Sequence, residues 1–177
     1  MSSSRPEETT DIRATFKQWD QERPDLELST LYFSITVLRL AKIIEDDFEK
    51  RCRAGHDLGA NDVRVLLALR RSGQQYMLRP TDIFQSLLIT AGAVTKQVDR
   101  LSARGLVRRR PDPAHAGGTL VQLTAKGRAM ADEIVNMVAS EGRIFEAFTD
   151  LPQAQRDKSL SLLLRLLDSL SQPIKTP

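Results

Sequence analysis

Apolar residues recur at helical spacing through most of the chain, and the exceptions are short. From Leu31 to Cys52, Leu31, Ile35 and Leu38 form one stripe, and Phe33, Val37, Leu40, Ile44 and Phe48 form a second. A long helix with two stripes has a wider apolar face than one core contact requires. Ser29 is its expected N-cap, and Gly55 and Gly59 its expected end. Upstream, residues 1 to about 25 read as an irregular arm with one turn of helix around IRATFKQWDQ, punctuated by Pro24 and Asp25. Downstream, NDVRVLLALRRSG predicts a short helix stopped by Ser72-Gly73, and QYML a short extended piece. PTDIFQSLL predicts a helix opened by Pro80, with Asp82 complementing the dipole in its first turn. AGAVTKQVDRLSARG predicts another, capped by Thr90 and closed by Gly105.

The period then changes. LVRRR and TLVQL, separated by the Pro-, Ala- and Gly-rich stretch PDPAHAGG, predict a β-hairpin. In LVRRR the alternation sets Leu106, Arg108 and Arg110 on one face and Val107 and Arg109 on the other. Helical spacing returns in LTAKGRAMADEIVNMVASEGRIFEAF, read as one long helix. It continues in PQAQRDKSLSLLLRLLDSL, which carries Leu160, Leu163, Leu164, Leu167 and Leu170. The order is a long helix, three short helices, a hairpin and two long helices. It predicts an α+β, mostly helical fold: a winged helix-turn-helix lobe flanked by long N- and C-terminal dimerisation helices. The expected boundaries are an extension over 1–28, a first dimerisation helix over 29–58, the DNA-binding lobe over 59–123 and C-terminal dimerisation helices over 124–177. The terminal helices expose more apolar surface than one such chain can cover, so a homodimer is expected.

Charge sharpens the picture. The net charge of the 177 residues is only +3, but residues 89–128 hold eight Lys/Arg against two Asp. The rest of the chain is left with 18 basic against 21 acidic side chains. A basic segment on an otherwise acidic body is the footprint of a nucleic-acid binder, although three consecutive arginines beside a loop also fit a solvated turn. On the fourth predicted helix Val94, Val98 and Leu101 face the core, which turns Gly92, Lys96, Asp99 and Ala103 outward, flanked by Thr95 and Arg100. Lys96 and Arg100 suit phosphate or guanine, and Thr95 suits phosphate or a thymine methyl. Asp99 repels phosphate and is expected to pair with a neighbouring cation. Arg108 and Arg110 are candidate phosphate clamps, and Arg109 is the arginine of the strand that suits a structural ion pair.

Other chemistry finds little footing. His56 and His115 are the only histidines, no His/Cys spacing suits zinc, and no Gly-rich phosphate loop is present. No catalytic residue, metal or cofactor is expected. Cys52, the single cysteine, excludes an internal disulfide, and no apolar run reaches the ~18 residues of a membrane span. The polar, acidic start is unlike a signal peptide, and a cytoplasmic location is expected.

AVTKQVDRLSARGLVRRRPDP and LVQLTAKGRAM, in this order and spacing, resemble the MarR-type winged-helix transcriptional regulators of bacteria and archaea, over roughly residues 29 to 170. The resemblance implies a homodimer bound to double-stranded DNA at a pseudo-palindromic operator. The candidate DNA-facing set is Thr90, Gly92, Thr95, Lys96, Gln97, Arg100, Arg108, Arg110 and His115. It also implies a cleft for a small anionic or phenolic effector, with Phe16, Trp19, Arg39, Arg64 and Arg79 as candidates; relatives with a similar Trp-x-x-x-Arg-Pro-Asp extension place it near the first helix. Some relatives sense peroxide through a cysteine near the start of that helix, whereas Cys52 lies near its end, between Arg51 and Arg53. Two departures stand out. Where the family has Asp-x-Arg at the wing tip this chain has His115-Ala116-Gly117, and Gln97 stands where many relatives carry arginine. These departures motivate an alternative: a dimeric protein-interaction module on a winged-helix scaffold with little operator specificity.

Overall fold

The computed structural model describes residues 11–87 and 90–171. The chain packs as two compact units, Met1–Asp46 and Asp47–Pro177. The expected irregular arm therefore falls partly outside the described residues, as do Leu88 and Ile89 of the stretch joining the two short helices.

In the first unit, α1 (Ile12–Glu22) makes three turns where the sequence suggested one. Asp11 caps it by accepting the Arg13 N–H at 3.0 Å. A tertiary contact supplies what local propensity lacked: Phe16 stacks on Tyr32 with ring centroids 4.3 Å apart. The Tyr32 hydroxyl donates to the Phe16 carbonyl (3.1 Å) and to Asp20 Oδ1 (2.5 Å). Burial, and then the Asp20 carboxylate, push the Tyr32 phenol up to about 12. The helix α2 (Ser29–His56) starts in this unit and ends in the second. Ser29 lies within its first turn rather than capping it, and its N–H and hydroxyl both donate to Glu27.

The second unit holds the end of α2 and then α3 (Ala60–Arg71), β1 (Met77–Leu78), α4 (Pro80–Leu87), α5 (Ala91–Ala103), β2 (Val107–Pro111) and β3 (Thr119–Leu123). After these come α6 (Ala125–Ser140), α7 (Arg143–Thr149) and α8 (Gln153–Ser171). Gly55 does not end α2; Asp57, with φ +51°, turns the chain two residues later. Because Gly59 offers no side chain to cap α3, the Glu49 carboxylate reaches over from α2 and accepts the Ala60 N–H at 2.5 Å. That bond, with the Arg53 guanidinium behind it, holds the Glu49 carboxyl below its usual range.

The centre of the lobe is α3, whose Val63, Val65, Leu66 and Leu69 are fully buried. Packed with them are Ile83 from α4, Val94, Val98 and Leu101 from α5, and Val121, Ala131 and Ile134 further along. The expected extended piece is the third strand of an antiparallel sheet ordered β1-β3-β2. It pairs Met77 with Gln122 and Leu78 with Val121. Leu106 departs from the alternation that grouped it with Arg108 and Arg110. It lies ahead of β2 and is wholly buried, with its carbonyl accepting the Thr124 N–H at 3.1 Å.

At the hairpin's exit the Thr124 hydroxyl caps α6 by accepting the Gly127 N–H (3.0 Å) while donating to the Gly105 carbonyl (2.7 Å). A Cβ on Gly127 would stand 1.9 Å from the Leu106 carbonyl oxygen, so the first turn of α6 seats on the Gly105-Leu106 backbone only with glycine there. The expected single long helix is broken at Glu141-Gly142, where Gly142 has φ +103°. Arg51 of α2 fills the break, donating to the carbonyls of Met137 (3.3 Å) and Glu141 (2.8 Å). The Met137 carbonyl also accepts the Glu141 N–H at 3.0 Å, so it is the Glu141 carbonyl, just past the end of α6, that gains its donor from Arg51.

Gly127→Ala is expected to cost about 1–3 kcal/mol as an overpacked contact against backbone that cannot yield. A urea midpoint unchanged from that of the parent chain would show that the α6–Leu106 seat is not tight.

Candidate nucleic-acid interface

Helices α4 and α5 form the helix-turn-helix pair, and α5 presents the surface its periodicity predicts. Val94, Val98 and Leu101 point inward, while Gly92, Thr95, Lys96, Asp99 and Ala103 are exposed. Thr90 caps α5 by accepting the Ala93 N–H at 3.2 Å. A Cβ on Gly92 would meet nothing within 4 Å, so the start of α5 is open to a large partner. Lys96 stands on this surface with no ion-pair partner among the described residues.

Two of the α5 candidates are placed differently from their expected role. Gln97 is only 4% exposed, with Oε1 lacking a hydrogen-bond partner. It stands three residues after Val94 and one before Val98, on the buried side of the helix, where it cannot meet a base. Arg100 is turned onto α3: Nη2 and Nε reach the two carboxylate oxygens of Asp62, at 2.6 and 3.3 Å. Asp62 is 7% exposed, and a carboxylate that dry requires a cation. Arg100 therefore holds α5 in place.

Neighbouring cations are held in the same manner. Arg104 donates to the carbonyls of His56 (3.1 Å) and Asp57, capping the end of α2 from the end of α5. Arg109 pairs with Asp99 at 2.6 Å, tying β2 to the exposed side of α5. Arg108 and Arg110 lie on the opposite face, where both guanidiniums share Gln122 Oε1, at 2.9 and 3.3 Å. Gln122 is neutral, so both keep their full charge for a polyanion, beside a helix that keeps Lys96.

At the wing, Asp112 organises the turn. It is 8% exposed and accepts the Ala114 N–H (2.9 Å) and Arg79 Nε (2.7 Å). Those two contacts, the first the stronger, hold its carboxyl below the usual range. His115, an exposed candidate, sits with Nδ1 2.8 Å from Arg79 Nη2. Sequence reasoning missed this grouping because Arg79 lies more than thirty residues from its partners.

The effector candidates fall in both units. Phe16 is engaged by Tyr32, Trp19 is 44% exposed, and Arg39 lies exposed on α2, all in the first unit. In the second unit Arg64 lies over the Phe48 ring and donates to Asn61 Oδ1, whereas Arg79 is at the wing. What the structure does form is a cavity of about 400 Å³ lined by Glu49, Arg53, Asp57, Asp62, Arg100 and Arg104, where α2, α3 and α5 meet. Cys52 is fully buried, and burial pushes its thiol up to about 11 despite the nearby Arg51 and Arg64, a shift that disfavours the thiolate. Among the described residues there is no cluster suited to a metal, and no helix is long and apolar enough to cross a membrane.

Known proteins resemble this chain in sequence and fold. The family model described as MarR family matches residues 56–116. The HTH-type transcriptional regulator PecS of Dickeya dadantii is 31% identical over 135 residues, covering 76% of this chain and 81% of PecS. The multiple antibiotic resistance protein MarR of Escherichia coli is 31% identical over 85 residues, 48% of this chain and 57% of that protein. Among solved structures, Bordetella bronchiseptica BpsR, whose DNA binding is regulated by 6-hydroxynicotinic acid, superposes with a TM-score of 0.64 at 28% identity, covering 76% of this chain and 92% of that one. AbsC of Streptomyces coelicolor shares the fold with a TM-score of 0.70 at 20% identity, covering 82% and 96%.

Proposed function

The chain belongs to the MarR family of winged-helix, DNA-binding transcriptional regulators, and we propose that it acts as a ligand-responsive repressor: a cytoplasmic homodimer on a pseudo-palindromic operator, without enzymatic chemistry. One observation carries the proposal. The Arg109–Asp99 pair ties the cationic strand β2 to a helix whose outward side is small residues, Thr95 and Lys96. That side suits a major groove, with Lys96 and Thr95 at the base edges, and Arg108 and Arg110 beside the flanking phosphates.

Exposed leucine supports the dimer. No residue of α8 is buried, and Leu163, Leu167 and Leu170 stand 46%, 60% and 82% exposed. In α2, Leu38 is 70% exposed. Aligned leucine on that scale requires a second surface, and a two-fold partner offers the same one in return.

The cavity beside α5 is the seat we assign to the effector. An anion entering among Arg53, Arg100 and Arg104 competes with Asp62 for the Arg100 guanidinium, and so for the position of α5. The BpsR effector is an aromatic acid, which fits such a site in class.

Binding to a duplex from the region upstream of the gene should exceed binding to random duplex and fall steeply with salt. Arg108→Ala and Arg110→Ala should each weaken both duplexes alike and flatten the salt slope, while Lys96→Ala should reduce the preference between them. Equal affinity for both duplexes at every salt concentration would favour the protein-interaction alternative.

Leu163→Glu/Leu167→Glu should convert the dimer to monomer or unfold it, and abolish specific binding because only a dimer spans two half-sites about 10 base pairs apart. Light scattering of a folded, dimeric, DNA-binding double variant would place the interface elsewhere.

Titrating 6-hydroxynicotinate or a related aromatic acid should release the parent protein from DNA, and Arg53→Ala should raise the concentration required. Release at the same concentration from both proteins would move the effector out of this cavity.

A further inference from the structure

We propose that Arg79, reaching across from the start of α4, supplies the cation of the wing: it contacts the DNA backbone beside the hairpin tip, with Asp112 and His115 aiming its guanidinium. This rests on the DNA-binding reading above and adds a contact that the wing's own sequence lacks.

Arginine is out of place where it stands. Arg79 occupies the cap of α4, its carbonyl accepting the Asp82 N–H (3.0 Å) and the Ile83 N–H (3.1 Å). Caps favour Ser, Thr, Asp or Asn, whose side-chain oxygen accepts a free helical N–H; a guanidinium has no acceptor. Asp82 makes its half of the cap by accepting the Arg79 N–H at 3.2 Å, and the reciprocal half is missing. Helix stability therefore does not account for this residue, and its side chain leaves the helix for the wing.

There, Nε donates to Asp112 Oδ2 (2.7 Å) and Nη2 lies 2.8 Å from His115 Nδ1. Nδ1 of His115 also lies 3.6 Å from Asp112 Oδ2, so the three side chains form one cluster at the wing. Asp112 is itself fixed by the turn, through the Ala114 N–H at Oδ1 and its own N–H at the Gly118 carbonyl (2.9 Å). Two of the five guanidinium donors are thus held by fixed partners, and the side chain remains 40% exposed. The tip between Pro113 and Gly118 holds no other cation, and Gly117, at φ +76°, is a poor site for one. Arg79 delivers a guanidinium to the tip on a rigid helix rather than on the loop.

The competing account is a staple, in which Arg79 only neutralises the buried Asp112. The two differ in sign. A direct contact loses a phosphate when Arg79 is removed and gains net attraction when Asp112 loses its charge. A staple loses DNA binding in both cases, because the wing is no longer held.

The experiment is fluorescence anisotropy of the full chain on the upstream duplex across a salt series, with thermal melting of each variant. Arg79→Ala should reduce the magnitude of the slope of log K against log salt by about 1.8, one phosphate for each wing of a dimer. Asp112→Asn should leave the slope unchanged and the affinity equal or tighter. If Arg79→Ala fails to fold, Arg79→Gln carries the same expectation, since it keeps the stem and a donor for Asp112 without the charge. An unchanged slope in the arginine variants overturns the inference while leaving the DNA-binding reading intact. Equal flattening in Arg79→Ala and Asp112→Asn also overturns it, in favour of the staple. Failure of the parent chain to bind any duplex overturns the DNA-binding reading itself, and the inference with it.

Discussion

The seat of α6 on the backbone of Gly105 and Leu106 governs the geometry of the whole lobe, because three elements meet there with no room for adjustment. The recognition helix α5 ends at Arg104, the chain turns through Gly105, and Leu106 buries its side chain before β2 begins. The Thr124 hydroxyl binds the Gly105 carbonyl while capping α6, and Gly127 admits the Leu106 carbonyl against the first turn of that helix. The end of the reading helix, the base of the wing and the start of the helix leading to the C-terminal leucines are therefore fixed together.

Charge in the lobe is divided between holding and reading. Arg100, Arg104 and Arg109 each meet a carboxylate or backbone carbonyls, and each such contact locks α5 to a different neighbour: α3, the end of α2, and β2. Arg108 and Arg110 meet only the neutral Gln122, and Lys96 meets no carboxylate among the described residues. The dense basic segment is thus partly scaffold. Two of the arginines that line the charged cavity, Arg100 and Arg104, belong to the holding set.

Among the exposed residues, the leucines of α8 are the clearest mark of assembly. They follow helical spacing, as core positions do, and yet none is buried in the isolated chain. In α3 the same residue type lies at the centre of the lobe, fully covered. Leucine in α8 remains exposed because the element that covers it is not part of one chain's core.

The sequence by itself determined the order of the main elements, the inward face of α5, the cap at Thr90, and the concentration of basic charge. These follow from helical period, from turn residues at fixed offsets and from composition, all of which act within a few residues along the chain. It misjudged α1, whose extra turns depend on Phe16 stacking on Tyr32, and the break at Gly142, which Arg51 fills from α2. It placed Gln97 and Arg100 at the DNA surface; Gln97 is buried, whereas Arg100 stays 47% exposed with its guanidinium held by Asp62. It grouped Arg79 with a distant cleft, whereas that residue bonds to Asp112 and His115. Each of these outcomes was decided by tertiary structure, because the energy of a charged or aromatic side chain depends on which partner folding brings within about 3–4 Å. Local pattern fixes which way a helix faces; which cation is bound and which remains free is settled only when the helices pack.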